Sequence, residues 1–155
     1  MKKILKIAAI VLLVAFAVIQ FIRPDFTNPP VNQAETLEAS TQVPENVQTI
    51  LNRSCKDCHS NETKYPWYSS IQPGAWFLAD HIAEGRRELN LSLFNTYEAR
   101  RKRKKLSEIC EQVQSKEMPL PSYLWIHWDA KMSDADIKTL CDWTESESAK
   151  IIETK

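Results

Sequence analysis

The chain has 155 residues, 43% of them hydrophobic, which allows one small domain with an extension. Its 20 Lys and Arg residues balance 20 Asp and Glu residues, so no bulk positive field marks a nucleic-acid binder. With 2 glycines, and neither a G-x-G-x-x-G nor a P-loop, a turn-rich all-β fold and a phosphate-cradling loop are disfavoured.

Lys2, Lys3 and Lys6 lead into an apolar run from Ile7 to Ile22 that only Gln20 interrupts, and Arg23 and Pro24 close it. As a helix, Ile4 to Ile22 would span about 29 Å, close to the hydrocarbon thickness of a bilayer. A cleaved signal peptide needs small residues in an A-x-A-like pattern after the run. Val18 to Pro24 offers none, and Ala15-Phe16-Ala17 lies inside the run. No cysteine follows that could carry a lipid. Residues 1–23 are therefore expected to be an uncleaved single-span anchor in the inner membrane, with the lysines on the cytoplasmic side and the rest of the chain in the periplasm. Disulfides form on that side, and c-type haem is attached there.

Residues 24–42 carry Pro24, Pro29 and Pro30 and little apolar periodicity, which predicts an extended linker holding the domain off the membrane. A domain over 43–150 and a short tail over 151–155 follow. Pro44 suits a helix start, and Val47, Ile50 and Leu51 fall at i, i+3, i+4, leading straight into Cys55-Lys56-Asp57-Cys58-His59. That stretch reads C-x-x-C-H, the attachment sequence of a c-type haem. Cysteines at i and i+3 share one face of a helical turn, where two thiols can add across the two vinyl groups of a porphyrin edge. His59, at i+4 from Cys55, is then placed as the proximal ligand. The same C-x-x-C could also be half of a zinc site or a redox dithiol.

The aromatics of Tyr65-Pro66-Trp67-Tyr68 and of Trp76-Phe77 suit a core or the walls of a flat apolar ligand. A helix is expected over 76–88, with Leu78, Ile82, Gly85 and Leu89 on one side; Gly85 would allow a backbone or a flat ligand to approach closely. A further helix, or a bent pair, is expected over 93–115, with Leu106, Ile109, Cys110 and Val113 as its stripe. Arg100 to Lys105 are six consecutive basic residues, a largely solvated run open to an acidic redox partner or to anionic lipid. The last helix is expected from Ser133, capped with Asp136, and carries Ile137, Leu140, Cys141 and Thr144 inward. No stretch reads as a strand, so the domain is expected to be all-α. Cys110 and Cys141 fall on apolar stripes of two helices and predict a disulfide closing a loop of about 30 residues, worth about 3 kcal/mol.

Between those helices lies Glu117-Met118-Pro119-Leu120-Pro121-Ser122-Tyr123. The order C-x-x-C-H, helical middle, Met-Pro and closing helix resembles class I c-type cytochromes. More narrowly, residues 43–145 are similar to the membrane-anchored haem-binding domain family, through C-x-x-C-H with Ser60, Tyr-Pro-Trp-Tyr-Ser at 65–69, Glu-Gly-Arg at 84–86, Glu-Met-Pro at 117–119 with Tyr123, and Ser133 to Trp143. The resemblance implies a cytochrome c-like domain wrapped around one covalent haem c, with Met118 as the distal ligand. A neutral thioether favours ferrous iron and raises the potential. His81 and His127 are the rival ligands. The resemblance also implies a proline carbonyl that accepts the proximal histidine's N–H, for which Pro73 is the match. Arg86, Arg87, Trp76 and Tyr68 are candidate donors to the propionates.

The function these readings imply is one-electron transfer between redox partners that the sequence does not name, with no catalytic residues and no nucleic acid. A haem sensor or peroxidase-like protein with a labile sixth ligand, and a zinc-stabilised interaction module, are the alternatives.

Overall fold

A computed structural model describes residues 1–151, and no strand occurs among them. The first helix, α1 (Lys2–Ile19), buries none of its side chains. It stops three residues before Ile22 because the chain turns at Gln20, whose carboxamide donates back to the Phe16 carbonyl. With three lysines inside its 18 residues, no helix among the described residues is long and apolar enough to cross a membrane.

Residues 24–42 do not form the expected spacer. The Asn28 carboxamide donates to the Thr63 carbonyl and accepts from Tyr65 and Arg86. Phe26 packs on the Tyr65 ring, and the short helix α2 (Leu37–Ser40) puts Leu37 wholly inside the core. The prolines that suggested an extended tether instead hold the strap in an open conformation while its polar side chains bond to the domain.

The domain is a cluster of helices around one apolar core. α3 (Glu45–Ser54) follows Pro44 and buries Val47, Ile50 and Leu51, as the i, i+3, i+4 spacing requires. The motif forms the single turn α4 (Lys56–His59) immediately after it. α5 (Gly74–Glu88) buries Leu78, Ile82 and Gly85. The second long segment is bent: a 3-10 stretch over Leu91–Thr96, started by the Asn90 side chain, precedes α6 (Ala99–Gln114), which buries Leu106, Ile109 and Val113. α7 (Pro121–Leu124) is one turn. α8 (Asp134–Lys150) starts with a capping box between Ser133 and Asp136 and buries Leu140, Trp143 and Thr144.

Leu37, α3, Leu91, Phe94, α6 and α8 share the core, each fully buried leucine contributing about 1.5–3 kcal/mol. Cys110 and Cys141 bond α6 to α8, with S–S 2.00 Å and Cα–Cα 4.8 Å. The basic run is less solvated than its composition suggests. Arg101 stacks on Tyr97, Lys102 bonds to Asn95, and the largely buried Lys105 pairs with Glu108 at 2.7 Å.

Candidate haem site

The end of α3 carries the chain directly into α4, so Cys55, Cys58 and His59 share one turn. Its position is set by α5. At Gly85 an added Cβ would lie 2.7 Å from the Cys58 carbonyl oxygen, so the close approach foreseen for this glycine is that of the motif's own backbone. The same stretch of α5 fixes His59. Its Nδ1 is 3.0 Å from both the Gly85 and the Leu89 carbonyl oxygens, so Nδ1 carries the proton it donates and Nε2 keeps its lone pair. Burial holds the imidazole below its ordinary pKa, with Lys105 adding to that, so it stands neutral at physiological pH, the form in which an imidazole can ligate a metal.

Asp57, inside the motif, ties the turn to its surroundings. Its backbone carbonyl accepts from Thr63 at 2.6 Å, its carboxylate accepts the Lys64 N–H, and Tyr123, from the Met-Pro side, donates to its other oxygen at 2.9 Å. Burial and the neighbouring Asp57 charge push the Tyr123 phenol well above its ordinary pKa, so it stays a donor. Burial likewise pushes the Cys55 thiol up to about 12, with Cys58 adding to it, and the Cys58 thiol up to about 11, with Asp57 adding to it. A redox dithiol needs the opposite shift, so this pair is poorly suited to that chemistry.

The motif borders two neighbouring hollows that share part of their lining. The larger, about 440 Å³, is walled by Leu51, Leu89, Leu91, Ile109 and Val113. The smaller, about 210 Å³, is bounded by Cys58, Pro119, Leu120 and Tyr123. Cys55, His59 and Met118 line both. Met118 reaches this place from the end of α6, where Lys116 adopts the left-handed conformation (φ 62°) and the Glu117 and Met118 N–H groups both donate to the Gln112 carbonyl. Two thiols on one turn, a histidine with a free Nε2, a thioether in the same lining and apolar walls fit a porphyrin, and the larger hollow has the size of a cofactor site.

The other expected residues sit differently. Pro73 does not serve His59: its carbonyl accepts the Trp76 and Phe77 N–H groups at the head of α5, because the backbone of α5 itself is nearer to the imidazole. Arg86 spends its guanidinium on the Ser60 carbonyl, Thr63 and Asn28, and so braces the loop after the motif instead of facing the hollow. Arg87 pairs with Glu84 in solvent, and Trp76 donates to the Ile22 carbonyl. Tyr68 bonds to Nε2 of His127 at 2.9 Å, and that ring stacks on Tyr123, so His127 borders neither hollow. His81 does border the smaller one; its Nδ1 donates to the Phe77 carbonyl, which leaves Nε2 unengaged.

Several lining residues were not foreseen. Among the described residues Lys105 is the only cationic side chain lining the larger hollow, beside the carboxylates of Glu88, Glu108 and Glu111, and Met132 also lines it. Nothing in a uniform basic run marks which lysine turns inward, although Lys105 directly precedes the fully buried Leu106. Among the described residues no group of three or more His, Cys, Asp and Glu side chains is arranged for a bare metal ion. With Cys110 and Cys141 bonded to each other, a four-thiolate zinc site has lost two of its ligands.

No curated protein and no solved structure matches the chain. The model of one family, described as a haem-binding domain, matches residues 14–146, most of the chain. With a site that fits a porphyrin, the chain belongs to the haem-binding domain family.

Proposed function

We propose that the chain is a single-haem c-type electron carrier, held at the inner membrane by α1 with its domain in the periplasm. The observation that carries the reading is one juxtaposition: Cys55, Cys58 and His59 on one turn, the His59 Nδ1 proton spent on two backbone carbonyls, and Met118 lining both hollows with His59. Thioether bonds to Cys55 and Cys58 would hold the porphyrin edge, His59 Nε2 would be the proximal ligand, and the Met118 sulfur the distal one. Lys105, paired with Glu108 in the lining, would meet a propionate only by exchanging that contact. When bound, haem supplies reversible one-electron chemistry between ferric and ferrous iron. The residues contribute ligation, exclusion of water and a fixed imidazole. Such a protein hands electrons on without transforming a substrate.

Anchoring is proposed on the exposed apolar surface of α1. α1 as a whole is not long and apolar enough to cross a membrane, so the reading requires Lys2, Lys3 and Lys6 to snorkel to the headgroups while the apolar run from Ile7 to Ile22 enters the hydrocarbon, and their position before the run favours the cytoplasmic side for that end.

The test is haem staining after denaturing electrophoresis of chain made with the maturation machinery present. Stain in the wild type and none in Cys55→Ala/Cys58→Ala is expected; an unstained wild type sinks the reading. Met118→Ala is expected to keep the stain and lose the near-infrared sulfur-to-iron band. His81 becomes the distal ligand if the wild type never shows that band, since it is the one histidine besides His59 that borders the cleft.

A further inference from the structure

We infer that the surface formed by the Trp67–Ser70 turn and the head of α5 lies in the headgroup layer of the bilayer, so that the domain is seated on the membrane instead of held off it. This rests on the reading of α1 as the membrane helix.

Three observations carry it. The junction between helix and domain is bonded shut. The Gln20 carboxamide donates to the Gln72 carbonyl at 3.3 Å and accepts the Gln72 N–H at 2.9 Å, and the Trp76 indole donates to the Ile22 carbonyl at 2.9 Å. Gln72 is itself buried, so the end of α1 is fixed to a part of the domain that cannot swing freely. Large apolar side chains are also exposed in the two segments that these bonds join: Phe21 and Ile22 in one, Trp67, Ile71 and Phe77 in the other, with Trp67 71% and Phe77 56% exposed. Exposed apolar side chains in this number mark a contact surface. Finally, no charged residue occurs from Tyr65 to Ala79, between Lys64 and Asp80, in a chain that is 26% charged.

The occupant follows from continuity. From Ile7 onward α1 is apolar on every face, and lipid is the medium that accepts all faces of such a segment. Whatever surrounds the end of α1 must also meet the side chains bonded to that end. At that depth hydrocarbon gives way to headgroups, where indole rings with one polar edge are favoured and charges are not needed. A protein partner or a second copy would cover the same side chains without requiring their attachment to α1.

The test uses the full-length haem-loaded chain at one copy per nanodisc of phosphatidylcholine and phosphatidylglycerol, with hydroxyl-radical footprinting read against Trp143, which is 6% exposed. Flotation with vesicles of the same lipids is measured in parallel. Flotation together with Trp67 and Phe77 oxidised nearly as slowly as Trp143 is the expected result. If the chain floats but both are oxidised several-fold faster than Trp143, the domain is not seated and the inference falls while the anchor stands. If protection appears only when two copies share a disc, a second copy is the occupant and the inference also falls. A chain that does not float overturns the anchor reading, and the inference with it.

Discussion

His59 and Met118 face the same cleft but are held by different means. On the His59 side every constraint is short-range and mostly backbone: two carbonyls of the α5 end receive one imidazole proton, and Gly85 lets Cys58 pack against it without an intervening side chain. On the Met118 side the sulfur is half-buried on a loop leaving α6, and the strongest nearby constraint is the Cys110–Cys141 bond, which pins α6 to α8 at a distance from the sulfur. His59 is thus placed by shape and hydrogen bonding, and Met118 by a covalent clamp on the helices that frame its loop. In the proposed carrier a proximal ligand that never leaves the iron would gain from the first arrangement, and a distal one whose bond sets the potential would tolerate the second.

The sharpest way to break the proximal arrangement is Gly85→Val. Its Cβ would meet the Cys58 carbonyl at 2.7 Å, and because that atom is backbone the motif turn must move. A clash of this kind, together with the weakened His59 hydrogen bonds, is expected to cost about 4 kcal/mol. Most of the covalently stained haem should go with it. Urea denaturation and the stained gel check both, and a variant with normal stain and stability would show that the close approach is dispensable.

The distal clamp is broken by Cys110→Ser/Cys141→Ser. Opening a cross-link across 31 positions is expected to cost about 3 kcal/mol, slightly less than the proximal clash. The outcome for the site should be opposite in kind. Stained haem is retained because Cys55, Cys58 and His59 are untouched, while the near-infrared sulfur-to-iron band weakens as the Met118 loop loosens. Loss of stain with an intact band would reverse the assignment of the two mechanisms.

Sequence patterns foreshadow these two sides unequally. The apolar stripe of α3 predicts its buried face residue by residue and that of α6 nearly so, because a helix of period 3.6 fixes which side chains share a face, whereas α8 buries Trp143 and Glu147 beside the expected Leu140 and Thr144 and leaves Ile137 and Cys141 only partly buried. The spacing of Cys55, Cys58 and His59 places them on one turn for the same reason. The partner of His59 was not legible. Gly85 and Leu89 act through their carbonyls, and a backbone carbonyl has no signature in the side-chain sequence. The commitments of Arg86 and Trp76 were hidden similarly, since a free guanidinium and one bonded to Ser60, Thr63 and Asn28 look alike on paper. Residues 24–42 were misjudged because proline and asparagine suit both a free tether and a strap bonded through its side chains. Leu37, fully buried in a polar segment, was the available clue.

The smallest effect concerns the contact joining the two sides. Asp136, at the start of α8, accepts the Ser133 N–H and hydroxyl at 2.9 Å each and the Arg53 guanidinium, from the helix leading into the motif, at 3.1 Å. These bonds, the Ser133 N–H first, hold its carboxyl below the ordinary value of 3.8. Because the folded-state pKa is the lower one, the carboxylate adds stability that is complete above the unfolded value and is lost as pH falls through the folded value. Asp136→Asn should therefore cost about 1 kcal/mol at neutral pH, most of it from the cap, because both partners of the Arg53 pair are partly in water. The gap between variant and wild type should close at acid pH as the wild-type carboxyl protonates. Repeating the titration in an Arg53→Ala background separates the two parts. A neutral-pH cost that stays within a few tenths of a kcal/mol of its original value assigns the effect to capping alone. A cost that nearly vanishes means that the ion pair between α3 and α8 helps hold the proximal helix to the helix that clamps the distal side.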